Sequence, residues 1–221
     1  MKVIKTSLSS SLPIDELPKQ VDWVKQGAVT KVKDQGMCGS CWSFAAIGAL
    51  EGAYYLKYHH LQYFSEQQLV DCDTSDAGCD GGEMSNAFDW IQQHGTVYYI
   101  HFIDASGGIC LEDDYPYVSG ESQSSGQCTT TCSPVPHSIL KSYTEVEPSC
   151  DACLVAAIAK QPVAVAIEAD HREFQLYKSG VFTAKCGAKL DHGVLAVGYG
   201  ETKEGLKYYK VLSNEQYFPH I

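Results

Sequence analysis

Positive charge is scarce in this chain. Sixteen lysines and arginines stand against 27 aspartates and glutamates, giving a formal net charge of −11 over 221 residues. So acidic a balance leaves no basic face on which phosphates could be neutralised, which excludes nucleic acid as a partner. Long apolar runs are missing too. None approaches the roughly 18–20 residues that cross a bilayer, so no membrane partner is expected. The N-terminal stretch "MKVIKTSLSSSLPIDELPKQ" lacks the continuous apolar core, about 7–15 residues long, of a secretory signal. Cysteine, by contrast, is abundant. Ten cysteines read mainly as disulfides formed in an oxidising compartment, with metal ligation as the rival reading. Cysteine content thus points to a secretory route for which this N-terminus supplies no address. A hydrophobic content of 44% with 14 tyrosines describes a packed globular protein. The length suits one large domain or two modest ones sharing an interface.

The clearest helix begins at Cys41. Trp42, Ala45, Ala46, Ala49, Leu50 and Ala53 recur at helical spacing and form one continuous buried stripe. In "FSEQQLVDC", Ser65 and Gln68 stand in capping-box register, which predicts a second, short helix. A third is predicted from Met84 through Ala87, Phe88 and Ile91, ending at Gly95 as its C-terminal cap. The second half differs in character. "CLVAAIAK" (Cys153 to Lys160) reads as a short helix broken by Pro162, whereas "VAVAIEA" and "GVLAVGYG" are strand-like with glycine punctuation. A Ser/Gly/Thr-rich segment from Ser119 to Pro136 separates the halves. The expectation is an α+β protein with a helical N-terminal lobe, a β-rich C-terminal lobe and a ligand cleft between them.

Cys38 and Cys41 form a Cys-x-x-Cys in "DQGMCGSCW", and four readings compete for it. A thioredoxin-like redox dithiol would follow a strand within a βαβ unit; a Gly-rich turn precedes this one. A zinc site would need a second pair about 15–20 residues away. The second Cys-x-x-Cys, Cys150 and Cys153, lies more than a hundred residues on. A third reading makes both cysteines structural. In the fourth reading Cys41 is a nucleophile at a helix start, where unpaired N–H groups and the helix dipole favour its thiolate, and Cys38 is structural. A nucleophilic thiolate also needs a base, an oxyanion donor and a group that orients the base.

Further motifs extend the pattern. "LPKQVDWVKQGAVTKVKDQG", "QGMCGSCWSF", "SEQQLVDCD", "GCDGGEMSNAFDWI", "EDDYPYVSG", "QPVAVAIEA", "FQLYKSGVF" and "LDHGVLAVGYG" occur in that order. Together they resemble the papain-like cysteine proteases, the papain and cathepsin L family, from about Leu17 to Val211. The resemblance implies a two-lobe fold with a β-barrel-like second lobe. It implies Cys41 as nucleophile, His192 as the base that later protonates the leaving amine, and Gln35 as the amide that helps the Cys41 N–H bind the oxyanion. Gly39, Gly81, Gly82 and Asp191 fall at substrate-binding positions; Glu83, Met84, Ala166 and Gly193 line the main specificity pocket, which is apolar. Disulfides Cys38–Cys79 and Cys72–Cys128 are implied, and Cys186 matches a cysteine whose family partner lies further along the chain than any cysteine here. Cys110, Cys132, Cys150 and Cys153 receive no assignment. The resemblance further implies a monomer acting on peptides or proteins, with no metal or other cofactor, open to cystatin-like or propeptide-like inhibitors, in a lysosomal or extracellular setting.

Three departures accompany the resemblance. Residues 1–16 are unmatched and read as a leader or propeptide remnant before a peptidase domain at 17–221, helical over about 30–130 and β-rich over about 131–221. "TVYYIHFIDASG", residues 96–107, interrupts a family-like stretch and reads as an insert of translated intron sequence. After "YYKV" the chain reads "LSNEQYFPHI", where the family has Asn-Ser-Trp-Gly and further strands. Ser213 falls at the position of the orienting Asn, and Asn214 reaches it through a one-residue shift. The functional expectation is a cysteine endopeptidase. Its alternative is a truncated or non-catalytic relative that binds peptides or inhibitors.

Overall fold

The helix expected from Cys41 forms the centre of the molecule. The computed structural model of the chain describes residues 2–3, 16–94, 108–129 and 131–214. In it α1 spans Cys41–Tyr58 and ends at His59, whose left-handed backbone turns its N–H onto the Tyr55 carbonyl. The expected stripe is buried from Trp42 to Leu50, with Ala53 half-buried. Ser43, Phe44, Ile47, Glu51 and Gly52 are buried as well. More of this helix's circumference is covered than a single stripe predicts, because helices pack on one side of α1 and a sheet on the other.

Helix α2 (Glu66–Cys72) starts where the capping pattern places it. Ser65 Oγ accepts the Gln68 N–H at 3.0 Å. Only that half of the box forms. The Ser65 N–H donates instead to the Cys110 carbonyl, and Gln68 Oε1 accepts the Cys110 N–H at 2.8 Å. The Cys110 backbone therefore takes the partners that the box would have joined to each other. Helix α3 (Met84–His94) buries Met84, Ala87, Phe88 and Ile91, the four residues expected. Its predicted cap Gly95 and the insert at 96–107 lie outside the described residues. A short helix α4 (Ser119–Ser122) follows. Helix α5 (Asp151–Ile158) begins two residues earlier than the sequence suggests, because Cys150 Sγ accepts the Cys153 N–H and caps it.

The sheet is built on one long strand. A two-residue β1 (Lys2–Val3) and a two-residue β2 (Val21–Asp22) precede α1. After α5 come β3 (Val163–Ile167), a helical turn α6 (Arg172–Gln175), β4 (His192–Glu201) and β5 (Lys207–Leu212). All pairings are antiparallel. One edge of β4 pairs first with β3, from His192 opposite Ile167 to Ala196 opposite Val163, and then with β2 at Gly198 and Tyr199. The other edge pairs with β5, Leu195 opposite Leu212 through Glu201 opposite Lys207. Strand β1 pairs with β3 at Val165 and Ala166. Every β4 residue except Glu201 is buried, since α1 packs against β3 and β4. The result is the expected α+β architecture, with the α1 N-terminus facing the start of β4.

All ten cysteines are described. Cys38–Cys79 and Cys72–Cys128 are bonded as the resemblance implied. Cys110–Cys132 and Cys150–Cys153 are bonded too. Cys41 and Cys186 remain as thiols.

Candidate active site

The turn before α1 is tied down from several directions. The Cys38–Cys79 disulfide joins it to the short 3-10 turn Gly78–Asp80. The Gly39 N–H donates to the Cys79 carbonyl at 2.8 Å. A side chain at 39 is shut out, since a Cβ there would lie 2.5 Å from that carbonyl oxygen. Ser40 is buried and its hydroxyl meets the Tyr117 hydroxyl at 2.7 Å, while Tyr117 donates to the Gln35 carbonyl at 2.8 Å. Burial raises the Tyr117 phenol above its ordinary value, which keeps it a donor. Cys41 follows as the first residue of α1, half-buried. Its sulfur thus sits at the helix end where N–H groups lack intrahelical acceptors.

The opposite wall is the start of β4. His192 is buried, and the N–H of the next residue, Gly193, donates to Cys41 Sγ at 3.3 Å. The two halves of the molecule therefore bring Cys41 and His192 together. His192 Nε2 lies 3.0 Å from Ser213 Oγ. Ser213 is buried just beyond the end of β5. The imidazole bond assigned to Asn214 is thus made by Ser213. Asn214 Nδ2 instead donates to Gln35 Oε1, and the Gln35 N–H donates to the Asn214 carbonyl at 2.9 Å. Gln35 Nε2 in turn donates to the Cys38 carbonyl at 2.9 Å. The physical reason is strand register. Leu212 pairs opposite Leu195, and successive side chains on an extended chain point to opposite sides, so Ser213 faces the imidazole and Asn214 faces the Cys38 turn.

The other expected site residues fall in two groups. Ala166 pairs with Gly193 across β3 and β4. A Cβ on Gly193 would lie 3.1 Å from Met84 Sδ and 3.2 Å from the Cys41 carbonyl. Ala166, Met84 and Gly193 therefore surround one spot beside Cys41. Gly81 has φ of 113°, open only to glycine, and a Cβ there would meet no atom within 4 Å. That opening faces outward, and Gly82 and Glu83 beside it are exposed. The Glu83 N–H is anchored on Asp76 Oδ1 at 2.9 Å. Asp191 is engaged elsewhere. Its carboxylate accepts the N–H groups of Ala169 and Asp170 at 2.7 and 3.3 Å, shaping the loop after β3. The supporting residues Ser40 and Tyr117 were not singled out in the sequence, because nothing in local spacing relates positions 77 residues apart.

Residues 17–215 match the model of the papain family cysteine proteases. Cysteine endopeptidase RepA of Oryza sativa subsp. japonica is 46% identical over 198 residues, covering 89% of this chain and 48% of RepA. Vignain of Ricinus communis is 45% identical over 199 residues, 90% of this chain and 51% of its own length. The chain thus spans about half the length of these relatives. Among solved structures, a recombinant stem bromelain precursor superposes with a TM-score of 0.81 at 36% identity, over 94% of this chain and 64% of bromelain's. The proform of Amb a 11, a ragweed pollen cysteine protease, gives 0.78 at 41% identity, over 90% and 56%. A family match over most of the length, joined to a cysteine at a helix start facing a buried histidine, makes this chain a member of the papain family of cysteine proteases.

Proposed function

We propose that this chain is a cysteine endopeptidase that cleaves peptide bonds through an acyl-enzyme on Cys41. The observation carrying the proposal is the approach of the His192–Gly193 strand start to Cys41 Sγ. In this reading His192 takes the thiol proton, and the α1 N-terminus and the Gly193 N–H stabilise the thiolate. The sulfur attacks the peptide carbonyl. The oxyanion is held by the Cys41 N–H and by an N–H of Gln35, whose amide has two hydrogens and donates one to Cys38. His192 then protonates the leaving amine, and water releases the acyl group. Ser213 Oγ accepts from Nε2–H and keeps Nδ1 directed at the sulfur. Asn214 holds the Gln35 carbonyl oxygen, which fixes the face of the amide that the oxyanion meets.

Substrates are peptides or proteins bound in extended form along Gly39, Gly81 and Gly82. An apolar side chain occupies the Met84, Ala166 and Gly193 pocket, with Glu83 modifying the preference at its mouth; Asp191 acts indirectly, by shaping one rim. Cystatin-like and propeptide-like inhibitors would bind the same cleft, and the enzyme would work as a monomer without a cofactor. Four disulfides support a secretory, lysosomal or extracellular setting. The domain limits, about 30–130 and 131–221 within 17–221, are part of the same reading.

Bromelain of Ananas comosus has been solved with the inhibitor E64, and that reagent tests the proposal. The folded chain should be labelled once, at Cys41, and Cys41→Ala should not be labelled. Labelling that ignores Cys41, or none on protein with intact circular dichroism, would sink it. Ser213 in place of an amide favours a second reading, a relative that binds peptides without efficient turnover. Labelling at Cys41 without measurable hydrolysis of peptide substrates would establish that one.

A further inference from the structure

The second Cys-x-x-Cys, Cys150-Asp-Ala-Cys153, has no part in the proposed proteolysis, and its chemistry differs from that of the other three disulfides. We propose that Cys150–Cys153 is a reversible thiol–disulfide exchange site, reduced and re-formed in the folded protein by glutathione-class monothiols.

Three observations converge on it. The first is loop length. Its sequence separation is 3, against 22 for Cys110–Cys132, 41 for Cys38–Cys79 and 56 for Cys72–Cys128. A bond that closes so short a loop removes little freedom from the unfolded chain and is least tied to folding. The second is access. Cys38, Cys72 and Cys110 are each buried, so every other bond has a shielded sulfur, whereas Cys150 and Cys153 are both half-buried. An incoming thiolate can reach either end. The third is the stabilisation of the product. Cys150 is the N-cap of the eight-residue α5, and its sulfur already accepts the Cys153 N–H at 3.2 Å. After reduction that N–H and the helix dipole act on a Cys150 thiolate, the form that attacks and leaves in exchange.

The surroundings are compatible with this chemistry. The Glu147 carboxylate lies within 4.8 Å of both sulfurs. Its negative charge opposes the helix dipole at Cys150. The Asp151 carboxylate, next in sequence, is turned aside to accept the Tyr209 hydroxyl. In the reducing direction a glutathione thiolate attacks Cys153 Sγ. The Cys150–Cys153 bond breaks, Cys150 leaves as thiolate, and a glutathione–Cys153 disulfide forms. A second glutathione attacks the glutathione sulfur of that disulfide, releasing the Cys153 thiolate and oxidised glutathione. The protein has then gained two electrons and, once protonated, two protons. Oxidised glutathione reverses the sequence.

The full chain, incubated in graded reduced and oxidised glutathione, quenched with acid and differentially alkylated, can be read peptide by peptide by mass spectrometry. Cys150 and Cys153 should become thiols together, at no more than a tenth of the reductant excess needed to open the other three disulfides. Circular dichroism should be unchanged and the bond should re-form on return to oxidised glutathione. Opening in step with the other disulfides, opening only with loss of helical signal, or failure to re-form would each overturn the proposal. Two variants probe the helix-start sulfur. Cys153→Ser leaves Cys150, which should react with iodoacetamide at pH 7 at least threefold faster than the Cys153 left by Cys150→Ser. Equal or reversed rates would overturn the role given to the α5 N-terminus.

Discussion

A hydroxyl stands where Nε2 of the catalytic-type imidazole looks for its partner. Ser213 Oγ, 3.0 Å from His192 Nε2, accepts as an amide oxygen would, but it also rotates and can donate. Ser213→Ala removes the acceptor altogether. A hydrogen bond to a charged group contributes about 1.5–3 kcal/mol, so kcat/KM on a peptide substrate should fall by roughly ten- to a hundred-fold. KM should change little, and the pH profile should shift with it; an unchanged profile would mean that Ser213 does not position the ring. A second decisive residue lies behind the site. Lys33 Nζ meets Glu51 Oε1 at 2.8 Å and Glu66 Oε1 at 2.6 Å, with both carboxylates buried. Glu51 also accepts from Thr30 and from the Phe64 N–H, while Glu66 Oε2 has no hydrogen-bond partner among the described residues. One cation beside two buried carboxylates leaves a surplus negative charge, and the proton that cancels it belongs on Glu66. Burial pushes the Glu66 carboxyl from 4.5 up to about 8, with Lys33 pulling the other way and Glu51 adding repulsion. The folded state then keeps a proton that the unfolded chain releases above about pH 4.5. The contribution of Glu66 to stability is therefore fullest on the acid side and falls as pH rises toward about 8. Glu66→Gln should flatten this slope between pH 5 and 8 in thermal melts. A slope that survives in the variant would place the proton elsewhere.

Short elements here depend on single polar side chains. Helix α2 has seven residues, too few to persist by propensity alone. Ser65 holds its start twice over, accepting from Gln68 N–H at 3.0 Å and donating to the Tyr115 carbonyl at 2.6 Å. Ser65→Ala should cost about 2 kcal/mol, a capping bond plus a buried carbonyl left without its donor, read as a lowered midpoint in urea. Helix α1 is the opposite case. It is 18 residues long and enclosed on most sides, so its stability comes from packing. Its N-terminal end stands apart, since Cys41 occupies the first turn and no acidic side chain stands there; in the proposed reading nothing there opposes a thiolate.

Across the whole molecule, covalent links and long-range pairing join segments far apart in the chain. Cys72–Cys128 closes 56 residues and Cys150–Cys153 only 3. Paired replacement by serine should therefore cost about 4 kcal/mol for the first and about 2 kcal/mol for the second, measured by denaturant unfolding under oxidising conditions. Equal costs would mean that native-state effects outweigh loop length. The sequence by itself determined the lineage, the three main helices, the two principal strands and the pairing of Cys41 with His192 as candidates. The helices and strands are carried by local pattern: helical spacing after Cys41, the capping serine before α2 and β-branched runs after Pro162; the lineage and the choice of Cys41 and His192 rest on the ordered motifs that resemble the papain family. What only the tertiary structure decided is who touches whom across long separations. The choice of Ser213 rather than Asn214 at the imidazole follows from the β4–β5 register, in which a one-residue slip turns a side chain to the other side of the strand. The pairing of Cys110 with Cys132 could not be read from spacing, because ten cysteines allow many connectivities. The support of the Cys41 turn by Tyr117, and the placement of Lys33 against two buried glutamates, likewise exist only once α1 is enclosed between helices and sheet. Sequence pattern specifies which face of an element is apolar; packing then decides which polar groups are enclosed together, and there the chemistry of this site resides.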